Sequence, residues 1–171
     1  MNTLIAYASK YGATRQACQE LAGKLSGTVT LADLATGETA DPGDFDRVLV
    51  GGAIYAGGLR PEAKLFLQTH HDVLLRKDLG LFLCGADETA DNREKFFADN
   101  VPAELLAHAR VRGHFGHQFH FDRMNFFERM IVRKIVKVRQ SEDRLDLEAI
   151  GRFARDVEQQ AQAVQTGDQG I

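Results

Sequence analysis

Six residues near the start of the chain combine the types and spacing needed to hold an anion: Ser9-Lys10-Tyr11-Gly12-Ala13-Thr14. They follow the apolar run Leu4-Ile5-Ala6-Tyr7-Ala8 and precede Cys18, Leu21, Ala22 and Leu25, which recur at helical spacing. A strand, a short turn and a helix in that order aim the turn's N–H groups and the first helical turn at one spot. The helix dipole favours negative charge there. Ser9 and Thr14 add hydroxyl donors, and Gly12 lets the backbone approach closely. The pattern lacks the spacing of a Walker A loop, G-x-x-x-x-G-K-S/T, and of the dinucleotide fingerprint G-x-G-x-x-G. The same residues also suit an ordinary βα turn with a capped helix, so the rest of the chain must decide.

The elements that would position this turn alternate regularly. Residues 3–8 predict a strand and 13–26 a helix, with Gly27 as its stop signal. Thr28 to Ala32 alternates polar and apolar, as a half-buried strand does. After a polar loop containing Gly37, Pro42 and Gly43, Arg47-Val48-Leu49-Val50 is a third strand running into Gly51-Gly52. Pro61 suits the first turn of a helix whose inner face carries Ala63, Phe66, Leu67 and Leu74. Leu79 to Cys84 is a solidly apolar fourth strand opening into Gly85-Ala86-Asp87-Glu88. Residues 92–109 read as one or two short helices around Pro102, and Val111 to Phe121 as an alternating fifth strand. Helices are expected over 123–139 and 145–165. The expected domain spans 1–165, with 166–171 as a flexible tail.

Strand and helix alternating throughout imply an α/β fold, a doubly wound parallel sheet with helices on both faces. Strands one, three and four are nearly continuous apolar runs, as central strands are, whereas two and five alternate, as edges do. The five-strand order 2-1-3-4-5 satisfies this and puts a switch point between strands one and three. The carboxyl ends of the central strands then bring together Ser9–Thr14, Gly52–Gly58 and Gly85–Glu88. Three glycine-containing loops converge on one edge.

At 171 residues and a net charge of −3 the chain suits one globular domain and does not suit a general nucleic-acid binder. No window of about 18 residues is uninterruptedly apolar, and the N-terminus lacks a basic region with a signal-type core. A cytoplasmic location is the expectation. Cys18 and Cys84 have no metal or redox spacing and read as reduced, packed thiols.

The turn at Ser9–Thr14 resembles the phosphate loop of the flavodoxins, a hydroxyl-rich turn of the type Ser/Thr-x-Ser/Thr-Gly-x-Thr/Ser, with Tyr11 in place of the second hydroxyl. The resemblance implies a flavodoxin-like fold with FMN as cofactor and Ser9, Lys10, Tyr11, Gly12, Ala13 and Thr14 around its phosphate. It places Ala53, Ile54, Tyr55, Ala56, Gly57 and Gly58 along the ring edge near N5. A backbone carbonyl or N–H there would contact N5 according to redox state, and Gly57 and Gly58 would ease the rearrangement. Tyr55 would stack on the ring or bridge core and solvent. Gly85, Ala86 and Asp87 would meet the pyrimidine edge, although Asp87 also suits a cap for the helix expected at 92.

Residues 123–139 add a helix to a short flavodoxin. Met124, Phe127, Ile131, Ile135 and Val138 share one face, with Arg129, Arg133, Lys137 and Phe126 on the other. This segment, the first loop, the Gly52-Ala53-Ile54 loop and the closing helix around Ile150–Ala154 resemble the menaquinone-dependent protoporphyrinogen oxidase branch of the superfamily. That resemblance implies an FMN-dependent oxidoreductase with a quinone or a redox protein as partner. The basic face would contact anionic lipid at the inner membrane face, an acidic protein or a propionate-bearing substrate, or else stay solvated. No side chain stands out as a catalytic acid or base. His114, His117 and His120 cannot converge on a metal from an unbroken strand, so no metal is expected. A flavodoxin-type electron carrier and a flavin-free domain on the same fold are the alternative functions.

Overall fold

The computed structural model describes residues 1–10, 12–55, 58–85, 89–119, 130 and 142–167. Within them the chain runs β1 (Asn2–Ala8), α1 (Ala13–Ala22), β2 (Thr28–Asp33), β3 (Arg47–Tyr55), β4 (Gly58–Leu59), α2 (Pro61–Thr69), α3 (His71–Leu74), β5 (Asp78–Cys84), α4 (Ala90–Asn100), α5 (Ala103–His108), β6 (Val111–His114), β7 (Gly116–Phe119), β8 (Glu142–Leu145) and α6 (Leu147–Gly167). The sheet order is β2-β1-β3-β5-β6, all parallel, with the two-residue β4 folded back antiparallel on β3. Apart from that return strand, this is the expected order, with the alternating strands at the edges.

Successive side chains of the central strands enter opposite layers. Leu4, Ala6, Val48, Val50 and Leu81 pack with Ala63, Leu67, Phe97 and Leu105 of α2, α4 and α5. Ile5, Tyr7, Leu49 and Phe82 pack with Ala17, Leu21, Ile150 and Phe153 of α1 and α6. Both pleat faces are covered, which is why these strands are apolar at every position. The outer strand β2 is buried only at its end, Ala32 and Asp33.

Several expectations are corrected. The glycine pair Gly51-Gly52 does not open a loop: β3 continues through it to Tyr55 and turns back as a hairpin, pairing Ile54 with Leu59 and Tyr55 with Gly58. These glycines serve close strand packing instead, since a Cβ on Gly52 would lie 3.1 Å from Leu59 Cδ1. The helix after Pro61 breaks at His70 into α2 and α3. The first helix ends at Ala22 rather than 26. The alternating segment 111–121 is not one strand. Phe115 turns inward, fully buried, to stack on Phe82 at 5.0 Å and meet Phe153 edge-on at 5.2 Å. Gly116 then takes φ 73° and redirects the chain into β7, which pairs antiparallel with β8, a strand the sequence did not suggest. His114 and His117 thus belong to different strands, and a shared pleat no longer relates them.

The helix expected over 123–139 lies outside the described residues except for Met130, which is helical and exposed. The closing helix begins at Leu147 and continues to Gly167. Among the described residues no helix is long and apolar enough to cross a membrane.

At the amino edge of the sheet, Arg47 is completely buried. Its guanidinium donates to Asp78 Oδ2 at 2.8 Å, Glu158 Oε1 at 3.0 Å and the Val157 carbonyl at 3.1 Å. One side chain therefore ties β3 to β5 and to α6.

Candidate functional site

At the carboxyl edge the chain leaves β1 at Ala8 and enters α1 through Ser9, Lys10 and Gly12, with Tyr11 outside the described residues. Gly12 occupies the N-cap with φ 96°, a left-handed conformation that costs an L-residue roughly 1–2 kcal/mol. No side chain caps α1, and its first turn carries no acidic residue. A helix start without a side-chain cap, and with no acidic residue in its first turn to answer the positive dipole end, is suited to an external anion.

The loop's own donors are partly committed. Gly12 donates its N–H to Ser9 Oγ at 3.2 Å, and Ser9 donates its N–H to Asp33 Oδ1 at 3.3 Å. The Ser9 hydroxyl proton stays available as a donor. Thr14 is 1% exposed, and its enclosed Oγ1 has no hydrogen-bond partner among the described residues. It acts on the neighbouring Cys84 thiol without reaching hydrogen-bond geometry. Burial pushes that thiol up to about 12, and Thr14 draws it back slightly. Burial also raises Cys18 well above the ordinary thiol value, with Cys84 and Asp33 adding to it. Both cysteines are free, buried and protonated at neutral pH.

Asp33, at the end of β2, was not singled out by sequence, and it is the polar hub beside the loop. Only 2% of it is exposed. Its carboxylate accepts from Ser9 N–H, from Ala35 N–H at 3.2 Å and from Arg15 Nη2 at 2.8 Å. Arg15 also meets the Tyr7 hydroxyl, and the Asp33 and Tyr7 contacts raise its already high pKa. Tyr7 is raised by burial and then by Asp33 and Cys18. One sequence signal was available: Arg15 is a cation in the first turn of a helix, where the dipole disfavours it.

The other two loops meet side by side. A Cβ on Gly85 would lie 2.7–3.0 Å from Cδ1, Cβ and Cγ1 of Ile54, so the ends of β3 and β5 touch only because residue 85 is glycine. Gly85 also donates its N–H to the Gly116 carbonyl at 2.8 Å, tying this loop to the start of β7. The hairpin rests on Asn100 of α4, whose Oδ1 accepts from Leu59 N–H at 3.0 Å while its Nδ2 donates to the Phe96 carbonyl at 2.8 Å. Of the expected ring-edge residues, Ala53, Ile54 and Gly58 are placed here. Ala56, Gly57, Ala86, Asp87 and the Tyr55 side chain lie outside the described residues. The helix α4 starts at Ala90, with Thr89 at its cap position rather than Asp87.

Gly85→Ala should destabilise the domain by about 1–3 kcal/mol, because the Ile54 Cβ is fixed to the β3 backbone and cannot swing aside. The urea midpoint should fall with an unchanged slope. A midpoint equal to wild type would show that the two strand ends are less closely locked than these distances require.

A parallel sheet of this order, with α1 starting at its switch point, defines the class of open, doubly wound α/β domains. The Flavodoxin domain family model matches residues 4–146, and the chain belongs to that family. No curated protein matches significantly. Among solved structures, the chain is similar to rubredoxin oxygen:oxidoreductase from Desulfovibrio gigas, with a TM-score of 0.61 and 16% identity over 95% of this chain. It spans 36% of that longer protein. A Streptococcus pneumoniae flavodoxin superposes with a TM-score of 0.55 at 19% identity, over 94% of this chain and 99% of its own. A Fusobacterium nucleatum flavodoxin solved with flavin mononucleotide bound gives a TM-score of 0.52 at 11% identity, over 93% and 98% of the two chains. These likenesses are of fold.

Proposed function

We propose that the protein binds FMN at this edge and works as an FMN-dependent oxidoreductase. The observation that carries the reading is the start of α1: a left-handed glycine, no side-chain cap, and an enclosed Thr14 hydroxyl with no partner among the described residues. An unsatisfied buried hydroxyl costs about 1–3 kcal/mol, which a phosphate oxygen would remove. The Ser9 and Thr14 hydroxyls and the N–H groups of the first turn of α1 would hold the phosphate. The hairpin around Ile54–Leu59 and the loop at Gly85 would flank the ring. Bound there, FMN would supply the electron transfer, and the chain would supply position, shielding from water and electrostatics.

Thr14→Val tests this directly. It should weaken FMN by about 1.5–3 kcal/mol, the range for a hydrogen bond to a charged acceptor, and leave riboflavin affinity unchanged. Titration calorimetry on the flavin-free protein reads both. If the wild-type chain binds riboflavin as tightly as FMN, there is no phosphate site at α1.

The finer reading, oxidation of a porphyrinogen with a quinone as acceptor, is supported by the resemblance of residues 123–139 to that branch. Contact of their basic face with anionic lipid or an acidic redox protein belongs to the same reading. Porphyrinogen and quinone assays after anaerobic flavin titration address it. The alternative, an electron carrier, is favoured by one observation: the Streptococcus pneumoniae flavodoxin matches this chain over nearly its whole length. Turnover of a small-molecule substrate without a partner protein would separate enzyme from carrier.

A further inference from the structure

A buried carboxylate beside a phosphate site requires an explanation. Asp33 lies behind the loop, bonded to the N–H of its first residue, and would repel the dianion the loop is built to accept. We propose that Asp33 and Arg15 form a positioning and neutralising pair: Asp33 fixes the loop through Ser9, and Arg15 cancels the carboxylate's charge so that a doubly ionised phosphate is accepted. The inference rests on the FMN reading above and adds the residues that set which phosphate ionisation state the site takes.

The geometry separates the two tasks. One oxygen of Asp33 accepts from Ser9 and Ala35, while the other accepts from Arg15 at 2.8 Å. Arg15 reaches back from the first turn of α1 and also contacts Tyr7, so among the described residues its guanidinium is committed to the carboxylate and the Tyr7 hydroxyl. The Arg15 side chain is half exposed, which lets it be replaced without opening the core. The titratable groups facing Asp33 are Tyr7 from β1, Arg15 and Cys18 from α1, and Glu38, whose Oε2 accepts the Asp33 N–H at 2.8 Å. Lys10 is the remaining charge on the loop itself. Tyr7 and Cys18 are shifted upward and stay neutral below pH 8, whereas Arg15 is a cation bonded directly to Asp33.

The test compares FMN and riboflavin binding to flavin-free wild type, Arg15→Gln, Arg15→Lys, Asp33→Asn and the Arg15→Gln/Asp33→Asn double variant, between pH 5.5 and 7.5. Arg15→Gln should lose about 10- to 100-fold in FMN affinity at pH 7.5, the scale of one charge-assisted interaction. Riboflavin affinity should be unchanged. The loss should shrink toward pH 5.5, where the phosphate, with its second pKa near ~6, carries one charge less. Arg15→Lys should keep most of the affinity. The double variant should recover it, because asparagine still offers Ser9 an acceptor without the charge. Equal loss of FMN and riboflavin, or a loss independent of pH, would overturn the proposal in favour of a structural role. Failure of the double variant to recover would overturn it in favour of direct contact between Arg15 and phosphate, and an unaltered Arg15→Gln would overturn it outright. Should Asp33→Asn fold poorly, Asp33→Ser takes its place in the double variant, since a hydroxyl also offers the Ser9 N–H an acceptor without the charge. Wild type binding riboflavin as well as FMN marks failure of the FMN reading itself, whereas a wild-type preference for FMN with an inert Arg15 marks failure of this inference only.

Discussion

Arg47→Ala should lower the unfolding free energy by about 3 kcal/mol, the lower end for removing one partner from a buried ion pair. The lower end applies because Asp78 and Glu158 keep about a quarter of their surface in water, 23% and 26%. At about 2–4 °C per kcal/mol for a chain of this size, the melting temperature should drop on the order of 10 °C. The effect has two sources: the two carboxylates lose their counter-charge, and the Val157 carbonyl loses its donor. Replacing Arg47, Asp78 and Glu158 together by apolar residues of similar volume should recover most of the loss, since the desolvation of all three charges is then removed as well. The acid limb should change too. Burial pushes Glu158 up, but hydrogen bonds from Ser26 and Arg47 and the Arg47 charge outweigh it and hold the carboxyl below its ordinary value. Because the folded value is depressed, the stabilisation is complete above the ordinary carboxylate range and is lost as pH falls through the folded value. Arg47→Ala should therefore flatten the acid end of the stability curve. An unchanged melting temperature and acid limb would mean that α6 is held by its apolar face alone.

Phe82→Ala should cost about 3–5 kcal/mol, the range for emptying a buried aromatic site. Phe82 is fully buried, stacks on Phe115 and meets Phe153 edge-on at 6.3 Å, so its removal unsupports two further rings. A second variant sharpens the result. A Cβ on Gly51 would come within 2.5 Å of Phe82 Cε2 and of the Phe82 carbonyl oxygen. Gly51→Ala alone should cost about 1–3 kcal/mol by overpacking. The double variant should be less destabilised than the sum, because the methyl group enters space the ring has left. Relief stays partial, since the carbonyl remains. Strict additivity in chemical denaturation would show that the ring and the glycine are not in contact.

Much of the fold was legible because burial on two faces leaves a plain record. Leu4–Ala8, Val48–Val50 and Leu79–Cys84 are apolar at nearly every position, and this ranks them as central, while the order among them came from the doubly wound pattern. The strand–turn–helix at Ser9–Thr14 was legible in the apolar run before it and the helical spacing of Cys18 and Leu21 after it. What was misread shares one cause: residues whose local preference was overruled by a distant contact. Gly51 and Gly52 looked like a turn and instead make room for Phe82, Leu59 and Ala63. Phe115 continued an alternating pattern, yet the pull of Phe82 and Phe153 broke the strand there. Glu142–Leu145 has no strand-like alternation of its own and is a strand because β7 lies beside it. Arg47 read as the polar start of a strand, and its partners Asp78 and Glu158 lie 31 and 111 residues away. The Asp33 hub was hidden similarly, since Ser9 and Arg15 reach it from two other elements.

The position of α6 also sets an order of events during synthesis. Ile150, Phe153, Ala154 and Val157 cover the face of the sheet formed by Leu49, Phe82 and Val111, a face that α1 covers only in part. On the ribosome, the strands, α1 and the helices α2 to α5 of the opposite layer emerge before any of these residues do. The nascent chain thus holds one finished layer and one half-covered apolar face until α6 clears the exit tunnel. That half-covered face is the surface on which a chaperone would act, and its closure is the last step by which the domain becomes a folded body.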